Sequence, residues 1–178
     1  GMGTDSPMVK ALRECGKPII GAINGPAVTG GFELALACDF LYAAKGARFA
    51  DTHARVGLLP GWGLSQKLGR LIGINRAREV SLTGNFIDAE TAMTWGLVNK
   101  VCSPETLIED SLAAAQQIAE SNPQTISAMR SLMNDGDLLS LGEALELEGA
   151  RGIAYLEQAD FSQMENRLQA LKSRSKKS

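Results

Sequence analysis

Glycine placement constrains this chain most: of 19 glycines in 178 residues, thirteen lie between Gly16 and Gly96. Glycine admits turns and close backbone approaches that other residues resist. That stretch therefore has room for short strands and helices joined tightly, and an alternation of short strands and helices is an α/β signature. A chain of this length is enough for one ordinary globular domain. With 44% hydrophobic and 21% charged residues and a net charge of -2, nothing in its bulk charge recruits nucleic acid. Concentrated positive charge is confined to Lys172, Arg174, Lys176 and Lys177, which sit among serines and read as a solvated basic tail over 172–178. No apolar run reaches the roughly 18–20 residues a membrane span needs, and the amino terminus lacks signal-peptide character. Cys15, Cys38 and Cys102 are odd in number and far apart, without a C-x-x-C pair or a histidine cluster. That usage predicts a reduced, cytoplasmic setting and no metal site.

Local patterns place the elements. Lys17 to Gly25 contains a β-branched apolar run bounded by proline and by Asn-Gly, which predicts a buried strand. Helix formers follow Gly30-Gly31, so a helix is expected from Gly30 to about Cys38. Phe40 to Ala44 and Arg48 to Asp51 read as further strands. Helices are expected over Gly61 to Ile72 and Asn75 to Leu82. Asp88 is placed to cap a helix over Ala89 to Trp95 that Gly96 ends, with Leu97-Val98 opening another strand. From Pro104 the chain reads as helical: Glu105 to Ser121, Pro123 to Asn134, Leu138 to about Leu156, and a last piece from Phe161 to Leu171. The expected organisation is thus a core over 1–103, a helical region over 104–171 and the basic tail.

Gly25-Pro26-Ala27-Val28-Thr29-Gly30-Gly31 is the first candidate site, because glycine-rich turns before helices present N–H groups to anions and oxyanions. It is neither a P-loop, lacking Lys and Ser/Thr after Gly30, nor a G-x-G-x-x-G dinucleotide turn. By itself the segment fits a packing turn as well as a binding loop. Glu33 follows Gly30 by three residues, and on a helix those positions share a face. Its apolar neighbours Phe32, Leu34, Ala35 and Leu36 imply partial burial, a setting that suits a carboxyl to acid/base work. An exposed acid favoured by the helix dipole is the plainer alternative.

Four ordered blocks carry a family resemblance. They are Lys17-Pro18-Ile19-Ile20-Gly21-Ala22-Ile23-Asn24-Gly25-Pro26-Ala27; then Gly30-Gly31-Phe32-Glu33-Leu34-Ala35 with Cys38-Asp39; then Gly57-Leu58-Leu59-Pro60-Gly61-Trp62-Gly63; and Leu82-Thr83-Gly84 running through Ile87-Asp88-Ala89 and Ala92 to Gly96-Leu97-Val98. This pattern resembles the crotonase family, the enoyl-CoA hydratases and isomerases. The resemblance implies a crotonase-like spiral of short strands and helices with a helical C-terminal region. It further implies acyl-CoA chemistry through an oxyanion-stabilised enolate, most directly hydration of 2-enoyl-CoA, with coenzyme A present only as part of the substrate. Isomerisation, thioester hydrolysis or a silent acyl-CoA-binding subunit are the alternatives, and subunit contacts of a homotrimer or hexamer are implied for the helical region.

By resemblance Gly30 matches one oxyanion donor and Glu33 the first catalytic glutamate. The second donor belongs to a segment that precedes Lys17 in family members, and nothing in Gly1 to Gly16 matches it, so about a third of a family chain is expected to be missing there. Counting back from Gly57, His53 stands where the second glutamate is expected. Histidine is a competent acid/base near neutral pH, and in an extended segment Asp51 would share its face and orient the ring. His53 is equally readable as a polar replacement in a site that no longer hydrates. Gly31 and Trp62 flank the site as possible support, with Trp62 expected to pack rather than react.

Overall fold

The computed structural model describes residues 6–159 together with Phe161, Met164, Arg167, Leu168 and Lys172. Apart from those positions, the expected last helical piece from Phe161 to Leu171 and the basic tail lie outside the described residues. The chain divides into two compact units, Gly1–Ser127 and Ala128–Ser178.

The first unit winds as a spiral. It opens with α1 (Pro7–Glu14), then β1 (Ile20–Ile23), β2 (Pro26–Val28) and α2 (Gly30–Ala35). A second turn supplies β3 (Phe40–Ala44), β4 (Arg48–Ala50), a 3-10 turn (Ala54–Val56), α3 (Leu64–Ile72) and α4 (Ile74–Thr83). A third supplies β5 (Ile87–Asp88), α5 (Ala89–Thr94), β6 (Lys100–Cys102) and α6 (Leu107–Ala119). The first four strands alternate between two sheets, one ordered β1-β3-β6 and the other β2-β4-β5, so that the consecutive strands β4 and β5 pair with each other. All pairs are parallel except β4 with β5. Gly21 faces Leu41 across the first sheet, and a Cβ there would come within 2.5 Å of Leu41 Cδ2. Helix α6 packs on β1 and β3.

Between the sheets and helices lies the core. Phe32, Phe49, Leu64 and Leu68 are at most 1% exposed, and the Phe32 and Phe49 rings meet at 5.4 Å between centroids. Each such side chain stabilises the fold by about 1.5–3 kcal/mol through burial alone. Phe32 thereby pins α2, the helix that carries Glu33, to β4.

Asp88 caps α5 as expected, accepting from the Thr91 N–H at 2.7 Å. Gly96 then takes a φ of +85°. The strand expected at Leu97-Val98 begins only at Lys100, because both amides are engaged by the helix end, donating to the Ala92 carbonyl at 2.9 and 3.3 Å. Besides the 3-10 turn, three elements lacked a sequence expectation. Helix α1 starts after Ser6-Pro7, and β2 and β5 are two or three residues long and exist through pairing with β4.

Helix α7 (Pro123–Gly136) begins in the first unit and continues into the second, which also holds α8 (Leu141–Gln158). Ser140 and Glu143 form a reciprocal capping box at the start of α8.

Candidate active site

Three segments of the first unit converge on Glu33. The first is the turn into α2. Thr29 precedes the helix at φ +52° and ψ -114°, an uncommon conformation for a β-branched residue. Its N–H donates to the Ala50 carbonyl at 3.0 Å, and its own carbonyl accepts from the Glu33 N–H at 3.0 Å. Gly30 and Gly31 follow as the first residues of α2, where helix geometry leaves amides without an intrahelical acceptor. A Cβ on Gly30 would stand 3.3 Å from the Trp62 ring, whereas one on Gly31 would meet only open space. A side chain at Gly30 would press on the Trp62 ring, and Gly31 leaves the backbone approachable.

The second segment is Asp51-Thr52-His53. It is not extended, the condition on which the sequence puts Asp51 and His53 on one face: His53 has φ -53° and ψ -47° and opens the 3-10 turn. The two side chains meet all the same, because the turn folds the imidazole back onto the carboxylate. Asp51 Oδ1 lies 2.7 Å from His53 Nδ1 and accepts the His53 backbone N–H at 3.1 Å. Between them, the Thr52 hydroxyl pairs with that of Thr29, tying this tripeptide to the glycine turn.

The third segment runs from Gly61 to Leu64. Gly63 adopts φ +113°, which lets the chain turn its amides inward. The N–H groups of Trp62 and Leu64 donate to Glu33 Oε1 at 2.7 and 3.3 Å. Trp62 thus contributes more than the packing expected of it, its amide holding Glu33 while its ring covers Gly30. Glu33 Oε2 stands 3.5 Å from His53 Nε2. The relative exposures of Glu33, Asp51 and His53 are 3%, 2% and 6%, so three ionisable side chains are buried in mutual contact. Buried charges persist only when paired and hydrogen-bonded in this way.

Sequence reasoning located Gly30, Gly31, Glu33, Asp51, His53 and Trp62, and the structure gathers them around one point. It missed the amide of Leu64 and the Thr29–Thr52 link, for which the only sequence signal was the Gly61-Trp62-Gly63 turn. Among the described residues no group of three or more His, Cys, Asp or Glu side chains is arranged to hold a metal ion. Nor is any helix among them long and apolar enough to cross a membrane.

A two-sheet spiral with a glycine turn feeding a short helix and a buried glutamate one turn on defines the crotonase class of folds. Residues 3–172 match the model of the enoyl-CoA hydratase/isomerase family, and the chain belongs to that family. It is 52% identical over 139 residues to the probable peroxisomal enoyl-CoA hydratase 1 of Arabidopsis thaliana, covering 78% of this chain and 52% of that protein. It is 42% identical over 138 residues to the mitochondrial enoyl-CoA hydratase of Pongo abelii, covering 77% and 47%. Among solved structures, a probable enoyl-CoA hydratase/isomerase from Mycobacterium abscessus superposes with a TM-score of 0.85 at 34% identity, over 94% of this chain and 64% of that one. An enoyl-CoA hydratase from Mycobacterium avium gives a TM-score of 0.67 at 44% identity, over 80% and 64%. The chain spans about half the length of the curated relatives it matches, 52% and 47%.

Proposed function

We propose that this chain carries the acid/base half of an enoyl-CoA hydratase, adding water across the double bond of a 2-enoyl-CoA thioester. The observation that carries the reading is the buried Glu33 carboxyl, held by two amides one helical turn from Gly30 and touching His53. In this reading the Gly30 amide supports the developing enolate oxygen; an oxyanion donor of this kind contributes about 2.7–4 kcal/mol to the transition state. Glu33 and His53 handle the protons of water and of the substrate's second carbon. The names of the relatives, enoyl-CoA hydratases of plant and animal, support the same chemistry.

The test is loss of the conjugated enoyl thioester on short, medium and long acyl-CoA substrates, using the complete reading frame that contains these residues. Glu33→Gln keeps the side chain's shape and removes its acid/base capacity, so kcat is expected to fall by about 10²–10⁴. Turnover unaffected by that substitution defeats the proposal. A second reading, double-bond isomerisation, is favoured by the direct 3.5 Å approach of Glu33 to His53, since one proton-carrying pair can move a proton between substrate carbons without water. Identification of the product, a 3-hydroxyacyl or a shifted enoyl thioester, separates the two.

A further inference from the structure

Glu33, His53 and Asp51 are connected in a fixed order, and the hydrogen-bond inventory of the three dictates where protons sit. Asp51 Oδ1 accepts the His53 backbone N–H, so it meets the ring as an acceptor and Nδ1 must bring the proton. With Nδ1 carrying hydrogen, Nε2 is the ring nitrogen free to take or release one, and it faces Glu33 Oε2 at 3.5 Å. Glu33 Oε1 already accepts two N–H groups, so a proton on this carboxyl belongs on Oε2. Lone pairs on both Nε2 and Oε2 would repel across that gap. One proton between them resolves the conflict, as an imidazolium beside a carboxylate or as a carboxylic acid beside an imidazole.

We propose that Asp51, His53 and Glu33 form an ordered proton relay in which Asp51 is the positioning residue that fixes the imidazole tautomer, His53 is the acid and Glu33 the base. The proposal rests on the hydration reading above and assigns the two proton transfers within it. As the water oxygen bonds to the third substrate carbon, one water O–H breaks and its proton goes to Glu33 Oε2. The π electrons of the double bond move through the second carbon onto the thioester oxygen, held by the Gly30 amide. That pair then returns to form a bond from the second carbon to the proton on His53 Nε2, and the N–H bond breaks. The product has gained the elements of water, its hydroxyl from the attacking water and its new C–H from His53, while Glu33 holds the other water proton and His53 is left neutral. Passage of the Glu33 proton to Nε2 across the same gap restores the starting pair. Substituting histidine for a second carboxylate thus gives a site that reloads its acid from its base.

His53 is the only histidine in these 178 residues, and in protein labelled with nitrogen-15 histidine the signals lost in His53→Gln identify its ring. The expected result is a proton on Nδ1 in the unsubstituted protein, seen as a one-bond coupling from that nitrogen. In Asp51→Ala, which leaves Nδ1 without its acceptor, the proton is expected to leave Nδ1 for Nε2, whereas the Asp51→Asn oxygen still accepts both N–H groups but carries no charge for the imidazolium. On 2-enoyl-CoA, kcat of Asp51→Asn is expected to fall by up to about 10⁴, as when an orienting carboxylate is replaced in a comparable carboxylate–imidazole pair, with KM within a few-fold. An Nδ1 without hydrogen in the unsubstituted protein overturns the relay, and so does an Asp51→Asn protein of unchanged kcat. If the unsubstituted protein hydrates no enoyl-CoA, the hydration reading falls and these transfers with it, while the ring tautomer still shows independently whether Asp51 orients His53.

Discussion

Thr29 is the one non-glycine residue at positive φ among the described residues, and such a conformation costs on the order of 1–3 kcal/mol. It persists because three contacts over-determine it: its N–H on Ala50, its carbonyl under the Glu33 amide, and its hydroxyl on Thr52. The last of these joins the glycine turn to the tripeptide that carries Asp51 and His53. Thr29→Gly relieves the strain but adds conformational freedom to the unfolded chain, worth up to about 1 kcal/mol in the opposite direction. Loss of the hydroxyl hydrogen bond, about 0.5–1.5 kcal/mol, adds to that cost, so the terms offset and urea unfolding is expected to show a stability change within about 1 kcal/mol, while kcat falls several-fold because Thr52 is released. Thr29→Ser retains the hydroxyl and is expected to retain activity. A stability loss well beyond that range with unaltered kcat would assign the hydroxyl pair to the fold rather than the site. Glu33 and Gly30 were legible in the sequence because their relation is local, three residues on one helix. Trp62 and Leu64 support Glu33 through main-chain amides, which every residue but proline possesses, so no side chain advertised them.

Elements were legible to the extent that neighbours in sequence determine them. The strand Phe40–Ala44 coincides with its expectation, and α3 carries its apolar spacing and α5 its Asp88 cap in their own residues. Strands β2 and β5 borrow their hydrogen bonds from β4, and the turn at His53 depends on Asp51 folding back, so these needed tertiary context. That turn is also clamped from outside. Arg55 donates to the Thr83 carbonyl from Nε at 3.0 Å and Nη2 at 2.7 Å, and to Asn85 Oδ1 at 3.2 Å. It closes over Gly84, where a Cβ would come within 2.5 Å of Arg55 Nε. Gly57 has nearly the same left-handed backbone, φ +73° against +63° for Gly84, with nothing in the path of a Cβ. Gly57→Ala is therefore expected to cost the backbone penalty alone, about 1–2 kcal/mol. Gly84→Ala adds displacement of Arg55 and should unfold at measurably lower urea concentration than Gly57→Ala. Equal midpoints for the two would show that the Arg55 clamp contributes nothing to the fold.

At the scale of the whole molecule, resemblance made the spiral legible, whereas the charge pairs that brace it emerged only from the structure. Lys100 at the edge strand β6 reaches Asp110 on α6 at 2.6 Å. That bond holds the Asp110 carboxyl below the usual range and raises the Lys100 ammonium above its own. Bonds from Thr91 lower Asp88 at the start of α5, and bonds from Ser140 lower Glu143 at the start of α8. A carboxyl depressed in the folded state contributes stability above its unfolded pKa of about 4 and loses it as pH falls through the folded value. The raised ammonium works in the other sense: its contribution is complete below about pH 10.4 and is lost as pH rises through the folded value. Stability is therefore expected to hold a plateau between these limits and to decline on both sides. Asp110→Asn removes one source of each decline. Its melting temperature should lie below that of the unsubstituted protein at pH 7 and approach it as pH falls through the depressed folded-state value of Asp110. Lys100 is exposed and Asp110 half-buried within reach of solvent, so the pH 7 difference should shrink in 1 M salt, where the screening length is about 3 Å. A difference that persists undiminished below the folded-state value of Asp110, or that ignores salt, would mean that Asp110 acts through packing rather than through its charge on Lys100.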